Sequence, residues 1–154
     1  MKDVVRPLRT GYYELLTGIT NPDYKLYFND KPVEVYDTRA TYPAETPYVI
    51  LSDISTISDN TKSTFGNEVT VNLLVYTTFE GDFGGREDAE EISDQILEMV
   101  IPSPGRSGVQ IENFNVSMAK LIGMDDEESI SDTKYTYRKR IVIQHAVWQN
   151  YIQI

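Results

Sequence analysis

The run "NEVTVNLLVYTTFEGDFGGREDAEEISDQILEMV", Asn67 to Val100, changes its hydrophobic period part way along. First, Val69, Val71, Leu73, Val75, Thr77 and Phe79 recur at every second position, the spacing that lines one face of a strand. The interleaved Glu68, Thr70, Asn72, Leu74, Tyr76 and Thr78 give a mixed opposite face. From Arg86 the period lengthens. Ala89, Ile92, Ser93, Ile96, Met99 and Val100 make one helical stripe, while Glu87, Asp88, Glu90, Glu91, Asp94 and Glu98 cover the rest. Early carboxylates suit the positive end of a helix dipole, and "PSPG", Pro102 to Gly105, stops the helix. The stretch therefore reads as a strand that turns through glycines into an amphipathic helix laid back on a sheet. Gly81, Gly84 and Gly85 are read as the hinge, because glycine permits the backbone angles of a tight turn. On that reading Asp82→Asn has little effect.

Working outward, "VVRPLRTGYYELLT" from Val4 to Thr17 carries Val4, Val5, Leu8, Tyr12, Leu15 and Leu16 near one helical face, with Pro7 in the first turn and Gly18 placed to close it. Residues 24–46 alternate short Tyr, Phe and Val-rich pieces with turn residues and predict short strands within an extended connection. Pro43 and Pro47 favour an edge or loop. "YVILSDIS", Tyr48 to Ser55, predicts a strand. After the helix, Phe114, Val116 and Met118 alternate with polar residues, and Val109 and Ile111 are out of phase, which predicts a bulge near Glu112 to Asn113. "DDEESISDT" then reads as a loop before "KYTYRKRIVIQHAVW", Lys134 to Trp148, where Tyr135, Tyr137, Ile141, Ile143 and Val147 share a side. The expected fold is α+β: a mainly antiparallel sheet with the helix of about Arg86 to Val100 and the N-terminal helix packed on it.

With 154 residues, 40% hydrophobic and 25% charged, the chain reads as a folded domain rather than a disordered one. No apolar run reaches the roughly 18 residues of a membrane span, and "MKDVVRPLRTGYY" lacks a secretion signal, so the expected site of synthesis is a cytoplasm. The absence of Cys removes disulfides and thiolate chemistry, and a single His rules out a multi-histidine zinc site. A formal net charge of -10 opposes tight wrapping of phosphate backbones.

Candidate chemical motifs dissolve when their mechanics are tested. "GDFGGRED" has glycines like a phosphate loop, but Arg86-Glu87 stands where a Lys and a hydroxyl would meet phosphate and magnesium. The kinase-like Asp82-Phe83-Gly84 lacks its partner elements, since the only His lies in "IQHAV". Asp125, Asp126, Glu127 and Glu128 lack the spacing and glycine of an EF-hand and read as a solvated hairpin tip. His145 has no nucleophile motif to serve as base and reads as a hydrogen-bonded structural residue. Asn115-Val116-Ser117 matches a glycosylation acceptor, which carries no weight without a secretion signal. No cofactor, metal or catalytic residues are expected. Arg138 and Arg140 share one strand face and Lys139 the other. They either meet the acidic helix of another subunit, around Glu87 and Glu91, or form a solvated face.

The succession "TPYVILSD", polar loop, "NEVTVNLLVYTTFEG", "REDAEEISDQILEMV" and late strands ending "YRKRIVIQHAVW" resembles the tail-terminator and tail-completion proteins of long-tailed phages. The resemblance covers nearly the whole chain and rests on element order and amphipathicity; the longer segment from Tyr24 to Thr46 and the tail "NYIQI" depart from it. It implies one tail-terminator-like domain over 1–154 with an extended connection around 24–46 and a C-terminal tail. It also implies a structural virion subunit at the tail and neck, not an enzyme. Such subunits form a ring, a hexamer by family analogy, that meets the tail-tube protein and a neck or head-completion protein while genome DNA passes through. Tyrosines on the long strands, Tyr135 and Tyr137 among them, suit subunit contacts together with Arg138, Arg140, Glu87 and Glu91. A head-completion or other neck adaptor is the nearer alternative, and an uncharacterised enzyme the distant one.

Overall fold

The computed structural model describes residues 1–41, 44–80, 85–131 and 134–150. Helix α1, Val5–Leu16, is followed by a small hairpin of β1, Tyr27–Phe28, and β2, Lys31–Pro32. Then come β3, Glu34–Asp37, β4, Tyr48–Ser58, β5, Gly66–Glu80, helix α2, Arg86–Val100, β6, Phe114–Ser131, and β7, Lys134–Gln149. One five-stranded sheet has the order β3-β4-β5-β7-β6. Its neighbours are antiparallel except for β3 against β4. This is the α+β arrangement anticipated from periodicity.

The decisive strand behaves as its alternation requires. Val69, Val71, Leu73, Val75 and Thr77 are buried beneath the helices, and their neighbours on β7 are His145, Ile143, Ile141, Lys139 and Tyr137. Every residue of the α2 stripe, Ala89, Ile92, Ser93, Ile96, Met99 and Val100, is buried. Helix α1 contributes Leu8, Tyr12, Leu15 and Leu16 to the same apolar cluster, so both helices cover one face of the sheet. Gly18, at φ 81°, ends α1. Gly85, at φ 78°, begins α2 against the ring of Phe79, where a side chain would be both strained and obstructed. The other hinge glycines, Gly81 and Gly84, lie outside the described residues, as do Asp82, Pro43 and residues 151–154 of the tail.

The short strands expected within the 24–46 connection are present, and two other expectations are revised. The connection over 24–46 contains β1 and β2, whose two-residue turn at Asn29 and Asp30, φ 50° and 62°, is the hairpin type that tolerates such residues. Gln95 of α2 holds this hairpin by bonding the Tyr27 N–H at 3.0 Å and carbonyl at 2.8 Å. The bulges of β6 lie at Val116/Met118 and Leu121/Gly123 rather than at Glu112 to Asn113; Asn113, at φ 66°, instead precedes the strand. The first bulge puts Ala119, not Met118, opposite His145 in the core. Finally, "DDEESIS" is not a loop: β6 runs on to Ser131, because Asp125, Asp126 and Glu127 stand opposite Arg140, Lys139 and Arg138. Only Asp132 and Thr133 of the expected loop separate β6 from β7, and they lie outside the described residues.

Candidate functional site

Opposite charges meet across the β6–β7 hairpin in a ladder. Arg140 grips Asp125 with two bonds, at 3.1 and 2.5 Å, and Arg138 bonds Glu127, all on the face away from the helices. Lys139 points the other way and reaches Asp126 at 3.3 Å, with its own side chain only 9% exposed. The two faces therefore carry different energies. The exposed arginine pairs are worth a few tenths of a kcal/mol to about 1 kcal/mol each. The Lys139–Asp126 pair removes an ammonium from water and needs its partner.

Near that pair, Tyr137 is fully buried, with Asp126 and Arg86 facing its hydroxyl and the Arg86 guanidinium 5.8 Å from its ring centre. Its hydroxyl finds no hydrogen-bond partner of good geometry among the described residues. Burial raises the Asp126 pKa, but Tyr137, Lys139 and Arg86 outweigh it and hold the carboxyl below its usual range. Tyr135 stacks on Phe79 at 4.9 Å. Of the candidate interface residues, Tyr137 thus lies in the core, Arg138 and Arg140 are engaged by their own chain, and Glu87 and Glu91 are exposed on α2.

His145 is buried where β7 passes under α1. Its Nδ1–H donates to the Met118 carbonyl at 2.9 Å, which leaves Nε2 to accept from the Tyr12 hydroxyl. Burial depresses its pKa to about 4. Both ring nitrogens are thus occupied by structural partners. Among the described residues no group of three His, Asp or Glu side chains is placed to hold a metal ion. No described helix is long and apolar enough to cross a membrane.

The face of the sheet away from the helices is only half covered. It carries a tyrosine row, Tyr36, Tyr48 and Tyr76, with Tyr48 and Tyr76 stacked at 5.0 Å, followed by Leu74, Val142, Ala146 and Trp148. Burial and the neighbouring Tyr76 and Tyr36 raise the Tyr48 pKa, so the Tyr48 hydroxyl stays neutral. Sequence alternation located this mixed face. It missed the two sheet edges, because strand order is a long-range property, and the exposed Ile57, Leu121, Ile122 and Met124 lie there.

The described residues thus present a sheet backed by helices on one face and aromatic on the other. The chain belongs to the family described as tail completion protein gp17, which matches residues 20–131. It is a structural protein of the phage tail, located in the virion at the tail and neck. Its fold is shared with a chain of the virion of a native gene transfer agent particle, at TM-score 0.68 and 14% identity, over 96% of this chain and 99% of that one. A search of curated proteins finds no match.

Proposed function

We propose that the chain assembles into a homo-oligomeric ring, hexameric by family analogy, that closes the head-proximal end of the tail tube and joins it to the neck. The observation that carries this reading is membership of a tail-completion family over residues 20–131. The architecture supports it: residues 1–154 act as one domain whose sheet spans the ring wall and whose exposed surfaces meet neighbours. The work is done by those surfaces, without catalysis or cofactor. The exposed carboxylates of α2, Glu87 and Glu91 included, meet basic groups of a neighbour, and Arg138 and Arg140 exchange partners across such a joint. A net charge of -10 suits a channel through which genome DNA slides without being retained.

Mass photometry of the purified protein at rising concentration should show a single closed oligomer, and electron microscopy of tails incubated with it should show density at one tube end. A strictly monomeric protein that leaves tube ends bare would refute the proposal. Binding to portal-side proteins without binding to tubes would move the chain to the head-completion side.

A further inference from the structure

Among the described residues the sheet has two uncovered edges. β3 covers β4 only from Tyr48 to Leu51, so among the described residues Ser52–Ser58 has β5 on one side and no strand on the other. Among the described residues no strand pairs with the outer side of β6. Isolated edges are usually guarded by charge, because unpaired N–H and C=O groups recruit other chains. Here the open half of β4, "SDISTIS", has Asp53 as its one charged residue and exposes Ile57 by 67%. On β6, "AKLIGM" from Ala119 to Met124 has Lys120 as its one charged residue and exposes Leu121, Ile122 and Met124 by 37%, 51% and 44%.

The register sets these two runs at the same height. Ile54 stands beside Val71, which stands beside Ile143, which stands beside Leu121. One step along, Ser55, Thr70, Gln144 and Lys120 form the next row, and Ser58, Asn67, Val147 and Val116 another. Three successive antiparallel pairings also make β4 and β6 run in opposite directions. A copy turned about an axis along the strands would therefore bring its β6 beside β4 in antiparallel orientation, without sliding.

We propose that the β6 edge of one copy, over Met118–Leu121 between its two bulges, docks in step against Ile54–Ile57 of β4 in the next, past the β4 bulge at Leu51/Ile54, joining the sheets edge to edge around the ring; this rests on the ring reading above. The occupant is a second copy because the two runs complement each other in height, direction and charge, with Lys120 of one near Asp53 of the other. Two acidic chains also meet best where they are least acidic, and α2 exposes Glu87, Glu90, Glu91, Asp94 and Glu98 instead.

The Cys-free chain makes the test direct. At a concentration where the unmodified protein is assembled, S55C mixed with K120C should give a covalent dimer on mild oxidation, and the double variant S55C/K120C a ladder of oligomers. Neither single variant alone should cross-link. Ile57→Lys, at an exposed position, should reduce assembly at least about tenfold with an unchanged circular dichroism spectrum. A ring that forms normally from Ile57→Lys, with no cross-link between S55C and K120C, overturns this joint and leaves the ring standing. Cross-linking within S55C alone or K120C alone overturns it in favour of a two-fold contact. A protein that is monomeric at every concentration overturns the joint and the ring together.

Discussion

His145 shows how a single buried imidazole contributes to the pH dependence of stability. Its pKa falls from 6.5 to about 4 on folding because burial disfavours the charged ring. Between those values the unfolded chain binds a proton that the folded chain refuses. Stability from this group is therefore complete above about pH 6.5 and is lost as pH falls toward 4, by up to about 3 kcal/mol. Thermal melts at pH 7 and pH 5 should show the loss, and His145→Gln should flatten that part of the profile while lowering stability at pH 7. Tyr12→Phe leaves Nε2 without its donor and should cost about 1–3 kcal/mol at pH 7, or several degrees of melting temperature. The sequence alone indicated a hydrogen-bonded structural histidine; neither partner was legible, because Tyr12 lies on another element and Met118 is brought over by strand pairing.

At the scale of elements, the Asn67–Val100 run carried the most information. Its change of period marked β5 and α2, and the α2 stripe read from the sequence is the buried set of the structure. Ile92→Asp or Ile96→Asp places a carboxylate in that stripe and should cost more than about 4 kcal/mol, seen as loss of soluble protein or of cooperative unfolding. The acidic and basic runs of the last hairpin were both visible, but their mutual pairing was not: composition suggested a solvated tip, whereas register makes Asp125 to Glu127 the partners of Arg138 to Arg140. The ladder should respond unevenly. Glu127→Gln should change stability by less than about 1 kcal/mol, whereas Asp126→Asn, which takes the counter-charge from the largely buried Lys139 side chain, should cost about 1–3 kcal/mol in denaturant titrations.

For the whole molecule, local alternation could announce an antiparallel α+β sheet but not which strands lie outermost. The parallel pairing of β3 with β4, and the insertion of β7 between β5 and β6, arise from contacts between segments far apart in the chain. The surfaces that bear on assembly depend on that order, so the sequence pointed to tyrosines and charged residues while the uncovered edges emerged only from the fold. Because exposed carboxylates crowd α2 and the net charge is -10, copies repel at low ionic strength. Raising salt from about 20 to 300 mM should shift assembly to lower protein concentration, as read by sedimentation velocity.

The paired irregularities of β6 bear on this last point. With an extra residue at each of two places, the outer rim of the hairpin is kinked rather than straight. Two such rims laid against each other would lose step at both kinks, so like-with-like ribbons and runaway fibres are penalised from the start.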